Sequence, residues 1–143
     1  MSAEIIKKYG ATTINEFWAF VEKLGFDNNK TDAESIRASL LKQISPSISS
    51  KYKAICDAYA YTLYNTTTDK NTPSLLYAAY DSIAQGREHY DMCCKKTSTV
   101  VAQAEHVHAL NHFGNVFPTE DDYYGNLVAQ QPSYNDYDDE FDD

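Results

Sequence analysis

The residues with the clearest capacity for chemistry lie between positions 105 and 112. Glu105, His108 and His112 stand at i, i+3 and i+7, so on a helix their side chains would share one face. A Glu-x-x-His pair supplies ligands in carboxylate-bridged metal bundles, but those sites combine two such pairs with two further glutamates. One pair is present here. We favour a simpler interpretation, a solvated histidine-rich helical face beside an acidic segment that promotes protonation of the imidazoles.

The cysteines provide a second candidate chemistry. His89 precedes Cys93 by four residues, which on a helix allows the thiol–imidazole contact that a cysteine nucleophile needs. Cys93 and Cys94 with His106 and His108 also contain the donor types of a zinc site, but adjacent cysteines diverge by about 100° on a helix. No glycine-rich phosphate loop or nucleophile elbow accompanies them. We therefore expect no cofactor and no bound metal.

Aromatic and acidic residues alternate at the end of the chain. Carboxylates there would steer a basic partner, and the rings would give contact area. The residues that we predict to bind this partner are Tyr134, Asp136, Tyr137, Asp138, Asp139, Glu140 and Phe141. Two alternatives stay open: the tail only increases solubility, or it folds back onto lysines of its own chain, namely Lys51, Lys53, Lys95 or Lys96.

Charge is distributed very unevenly over the 143 residues. The net charge is −9, from 12 Lys and Arg against 21 Asp and Glu. Residues 1–96 are almost neutral, whereas residues 97–143 contain ten acidic side chains and no Lys or Arg. Binding to nucleic acid or to an anionic membrane requires clustered basic residues, so we expect neither. The N-terminus lacks a secretory signal and the odd cysteine count offers no disulfide framework, which predicts a cytoplasmic protein.

Helical periodicity predicts the elements that must position these residues. Capping-box spacing occurs at Thr13–Glu16 and at Thr31–Glu34, and Ser45-Pro46 is typical of a helix start. The predicted fold is all-α, a single domain of about five helices in an irregular or orthogonal bundle. The predicted helices cover about 14–24, 31–44, 46–64, 73–94 and 98–112. We place the helical domain at 1–114 and an extended, acidic, tyrosine-rich tail, partly docked on it, at 115–143.

Several short motifs are similar to a known family. Phe17-Trp18, Ala58-Tyr59 and Gly86-Arg87 lie within a region, about residues 15–91, that resembles the bacterial family catalogued as domain of unknown function 4240. The stretch rich in glycine, cysteine and aspartate that this family carries before its later helix is replaced here by Asn65–Thr72. The resemblance implies a helical fold and no established chemistry.

Together these patterns predict a non-enzymatic acidic interaction protein of the inhibitor, immunity or anti-defence type. Its C-terminal third would bind a basic protein surface. The alternative is a helical enzyme that depends on a metal held by Glu105, His108 and His112, or on Cys93 with His89 as its base.

Overall fold

Helices form all the regular secondary structure in the part of the chain that the computed structural model describes, residues 2–27, 30–67, 74–104, 107 and 109–129. This confirms the all-α class. Within these residues no helix has both the length and the apolar character needed to cross a bilayer. Eight α-helices occur there: α1 (Ser2–Tyr9), α2 (Ala11–Leu24), α3 (Ala33–Leu40), α4 (Pro46–Thr66), α5 (Leu75–Ala84), α6 (Arg87–Lys95), α7 (Ser98–Gln103) and α8 (Glu120–Ala129). Two short 3-10 helices, Ala109–Asn111 and Phe113–Val116, lie between α7 and α8.

The long helix α4 forms the centre of the core and packs most extensively on α5. Aromatic rings pack between α4 and its neighbours. Trp18 of α2 contacts both Tyr59 of α4 and Tyr90 of α6. The hydroxyl of Tyr90 donates a hydrogen bond to the Tyr59 carbonyl at 2.6 Å. Burial of such rings is the main stabilising contribution in a core of this kind.

Local signals located α4 correctly. Ser45 is its N-cap, with the Ser45 Oγ accepting from the N–H of Ile48 at 3.3 Å, and Pro46 occupies the first turn. Gly25 ends α2 in the left-handed conformation at φ 58°, which agrees with the predicted helix end at about residue 24. The start of α2 was predicted at about residue 14, but the helix begins at Ala11.

The predicted helix 73–94 is wrong, because the chain breaks at Gly86. Gly86 has φ 106°, a value that only glycine adopts without strain, and it separates α5 from α6. The break redirects α6 so that Tyr90 and Cys93 are buried. The count of about five helices therefore underestimates the eight found in the described residues, among which α1 had not been predicted.

The predicted helix 98–112 is also wrong, since α7 ends at Gln103. His112 has an extended backbone, and the residue that follows turns into the core: Phe113 is buried and its N–H donates to the Asp81 carboxylate at 2.7 Å. A continuous helix would place Phe113 elsewhere. Because His112 does not lie in an α-helix, it cannot belong to the helical face that we predicted for Glu105, His108 and His112.

The first residues that we assigned to the tail, after residue 114, are packed in the core. Val116 and Phe117 belong to the core, and residues 120–129 form α8 rather than an extended segment. Residues 130–143 lie outside the described residues.

Polar bonds tie the segment 31–49 to the segment 111–123. The Asn111 side chain accepts from the N–H of Ala33 at 2.6 Å and donates to the Thr31 carbonyl at 2.8 Å. The buried Ser49 hydroxyl donates to the Pro118 carbonyl at 2.7 Å. These bonds hold the start of α8 beside the N-terminal half of α4.

Candidate interaction surface

Helix α8 begins with a reciprocal capping arrangement. The Asp122 carboxylate accepts from the backbone N–H of Thr119 at 2.8 Å, and the Thr119 hydroxyl accepts from the N–H of Asp122 at 3.2 Å. Both bonds satisfy N–H groups that a helix start would otherwise leave without a partner. The cap therefore lies within α8 itself and needs no contact with the rest of the protein.

Two side chains attach α8 to the body. The Arg37 guanidinium donates to the Asn115 carbonyl at 3.0 Å, and its Nε lies 3.8 Å from the Asp122 carboxylate. The Tyr123 hydroxyl donates to the Ile44 carbonyl at 2.9 Å. Burial raises the pKa of the Tyr123 phenol, so this donor stays protonated at neutral pH. No residue of α8 is fully buried.

The opposite face of α8 is open. Tyr124 is 70% exposed and Leu127 is 56% exposed, and both lie on the same side as the exposed carboxylates of Glu120 and Asp121. Val128 extends this apolar area. We call the set Glu120, Asp121, Tyr124, Leu127 and Val128 the α8 face. It combines negative charge with an exposed ring and aliphatic groups in one strip.

A cavity of about 400 Å³ lies beneath the first turn of α8, between that turn and α4. Apolar groups and polar groups both line it. Those that matter below are Pro46, Ser50, Lys53, Phe117, Pro118 and Glu120. The cavity falls in the size range of small-molecule and side-chain pockets.

Lys53 at the cavity wall belongs to a charge-balanced cluster that the sequence did not reveal. One oxygen of the Asp57 carboxylate accepts from the Lys53 ammonium at 2.5 Å and from the Tyr80 hydroxyl at 2.6 Å. Burial, then the hydrogen bond to Asp57, raises the pKa of Tyr80 well above its usual range. Tyr80 is therefore a hydrogen-bond donor rather than a catalytic base.

His112 packs beside this cluster. Its ring stacks on Tyr77, with centroids 4.6 Å apart, and its Nδ1 accepts from the N–H of Gly114 at 3.0 Å. Burial, with a smaller effect of the Lys53 charge, lowers the pKa of His112 from 6.5 to about 4. The expectation that acidic neighbours would promote its protonation is therefore wrong.

The remaining metal candidates, Glu105, His106 and His108, lie outside the described residues. Within the described ranges no group of three or more His, Cys, Asp or Glu side chains could hold a metal ion. His112 also has one ring nitrogen already engaged by the backbone, which leaves it at most one coordinating atom.

The thiol–imidazole contact expected in α6 is present, with Cys93 Sγ 3.4 Å from His89 Nε2. The environment does not suit a nucleophile, however. Cys93 is buried, and burial raises the pKa of its thiol, which keeps it protonated at neutral pH. Cys56 is buried in the core.

The residues predicted to bind the partner, 134 and 136–141, lie outside the described residues. Sequence reasoning missed α8, although two signals for it were available. Thr119 and Asp122 have capping-box spacing directly after Pro118, and Tyr124, Leu127 and Val128 follow at helical intervals.

Comparison with known proteins adds no relative. No protein-family model, no curated protein and no solved structure matches this chain, so the resemblance to domain of unknown function 4240 stays a prediction.

Proposed function

We propose that this chain is a non-enzymatic interaction protein that binds a basic protein partner through its C-terminal third, as inhibitors, immunity proteins and anti-defence proteins of the cytoplasm do. The α8 face is the observation that carries the proposal. It presents an exposed aromatic ring and aliphatic groups directly beside two exposed carboxylates. Large exposed apolar groups next to charge are typical of binding surfaces.

The charge of this part of the chain supports the choice of a basic partner. Residues 97–143 contain ten acids and no Lys or Arg. Among the described residues of α8, Asp122 is paired with Arg37 of the body, whereas Glu120 and Asp121 form no ion pair. Their field would accelerate the encounter with a basic surface, and burial of the apolar groups would hold the complex.

The acidic and aromatic residues further along the chain would extend this surface. Tyr134, Asp136, Tyr137, Asp138, Asp139, Glu140 and Phe141 repeat the same combination of rings and carboxylates. In our proposal they engage the partner together with α8.

The test begins with affinity capture from the source organism, which identifies a partner but does not by itself support the proposal. Calorimetry with the purified partner then compares variants. Tyr124→Ala with Leu127→Ala should weaken binding by about tenfold or more, since exposed aromatic anchors often contribute more than 1 kcal/mol each. Glu120→Gln with Asp121→Asn should lower the association rate at low salt and reduce its salt dependence.

Matched controls come from exposed residues that do not belong to α8. Tyr61 of α4 is 48% exposed, and Glu4 of α1 is exposed. Tyr61→Ala and Glu4→Gln should leave both affinity and salt dependence unchanged. The proposal fails if the α8 variants bind as tightly as these controls, or if an unrelated lysine-rich protein competes as well as the partner does.

A further inference from the structure

The cavity beneath the first turn of α8 has the chemistry to hold an arginine side chain. We infer that the basic partner inserts an arginine into it, so that this cavity fixes the register of the complex. This inference rests on the proposed function, because it assigns the arginine to the basic partner that binds the α8 face.

One wall of the cavity suits the carbon stem of an arginine. Phe117, Pro118 and Pro46 line it with apolar atoms. Long cationic side chains bury their methylene groups along such surfaces while the charged end reaches polar groups. A guanidinium plane also stacks favourably on aromatic rings, here on Tyr123 at the same cavity.

The charges around the cavity favour a cation despite the presence of Lys53. The Asp57 carboxylate compensates the Lys53 ammonium at 2.5 Å. Glu120, an exposed residue of the cavity lining, forms no ion pair among the described residues, so its negative charge is not compensated. The sum of the Lys53, Asp57 and Glu120 charges is negative, which attracts a cation and repels a phosphate or a carboxylate.

A second polar group in the cavity lining distinguishes arginine from other side chains. Ser50 also lines the cavity and is exposed. A guanidinium has five N–H donors in a fixed fork, which can serve a carboxylate and a hydroxyl at the same time. An aliphatic side chain would leave these polar groups without partners, and an ammonium lacks the fork.

The test uses a defined probe and the full chain. N-acetyl-arginine methylamide is titrated into isotope-labelled protein, and amide shifts are followed by NMR. We expect shifts at Ser47, Ser50, Thr119 and Glu120, and much smaller ones with the neutral citrulline analogue or the norleucine analogue. Glu120→Gln should weaken probe binding by about two- to fivefold, the range of an exposed ion pair.

Two further variants complete the experiment. Glu4→Gln removes an exposed carboxylate of α1 that does not line the cavity, and it should leave probe binding unchanged. Ser50→Trp places a large ring at an exposed position of the cavity and should abolish probe binding while circular dichroism shows an intact fold. Equal shifts with arginine and citrulline, or none with either, would overturn the inference.

The proposed function fails separately from this inference. If the probe does not bind but Tyr124→Ala with Leu127→Ala still weakens the partner complex, only the arginine pocket is wrong. If the probe does not bind and Tyr124→Ala with Leu127→Ala leaves the partner complex unchanged, both the arginine pocket and the proposed function are wrong.

Discussion

His112 and Gly114 are joined by a hydrogen bond from the Gly114 N–H to the His112 Nδ1, 3.0 Å long. The bond requires a neutral imidazole, because a protonated ring has no lone pair at Nδ1. It also holds the ring against Tyr77 and Tyr80, where solvent is largely excluded. A residue type that suggests metal binding in the sequence therefore serves the packing of the segment that leads to α8.

The free energy of unfolding should fall as the pH is lowered from 6.5 to about 4. The pKa of His112 is about 4 in the folded state and 6.5 in the unfolded state, so between these values the unfolded chain binds the extra proton. The stabilisation is complete above pH 6.5 and is lost as pH falls through the folded-state pKa, by about 3 kcal/mol in total. Urea unfolding at pH 7.5, 6, 5 and 4 measures it.

His112→Asn is the matched variant for this measurement. Asparagine keeps an acceptor near Nδ1 but cannot be protonated, so the variant should be less stable at pH 7.5 and should lose less stability on acidification. An identical pH dependence in both proteins would show that other groups cause it.

Gly114→Ala should destabilise the protein by about 1–3 kcal/mol through overcrowding. A Cβ atom at this position would lie 2.7 Å from His112 Cε1 and 3.0 Å from Tyr80 Cδ1. Both rings are fixed by packing and hydrogen bonds, so neither can move away cheaply. Thermal and urea unfolding measure the loss.

Gly125 of α8 provides the control for Gly114. Apart from the backbone of α8 and the residues adjacent to Gly125, no atom of the described residues lies within 4 Å of a Cβ built there, and helix interiors prefer alanine to glycine by roughly 1 kcal/mol. Gly125→Ala should raise helicity without lowering stability. A loss of stability equal to that of Gly114→Ala would contradict the crowding explanation.

Arg37→Lys should loosen the attachment of α8 while it changes the global stability only slightly. Lysine cannot both donate to the Asn115 carbonyl and pair with Asp122 as the guanidinium does. Because the ion pair is partly exposed, we expect at most about 1 kcal/mol, seen as an up to roughly fivefold faster amide exchange in residues 120–129. Arg87→Lys, which affects an exposed bond to Asn15 instead, should leave that exchange rate unchanged.

The three cysteines should react with an alkylating reagent in a fixed order. Cys94 is partly exposed, whereas Cys56 and Cys93 are buried. Cys94 should therefore be modified first at neutral pH, and the other two only when the protein unfolds. Peptide mass spectrometry after timed labelling identifies each site. Rapid labelling of Cys93 in the folded protein would instead favour the cysteine-dependent enzyme.

Local signals in the sequence predicted those elements whose ends are decided locally. Ser45 caps α4 through its own side chain, and Gly25 ends α2 by its own backbone conformation, so neither depends on distant residues. The capping-box pattern at Thr13–Glu16 predicts the wrong start for α2, which begins at Ala11, directly after Gly10. A spacing of residue types alone cannot decide between two nearby helix starts.

The errors that matter for the candidate site arose where tertiary contacts override the helical period. Apolar spacing continues from α7 towards His112, yet the chain leaves the helix so that Phe113 can be buried and bonded to Asp81. Likewise α8 was hidden by the acidic composition that surrounds it, and its orientation depends on Arg37, 85 positions before Asp122. Contacts between residues so far apart in the chain cannot be predicted from a single sequence.

The bonds of Asn111 to residues 31 and 33 also limit how early the start of α3 can be fixed during protein synthesis. They span 80 and 78 positions, and the bond from Tyr123 to Ile44 spans 79. While the ribosome is still extending the chain, Thr31 and Ala33 at the start of α3 cannot form these bonds until Asn111 has been synthesised. A chain that ends before residue 111 therefore lacks the bonds that hold the start of α3, and it lacks the α8 face as well.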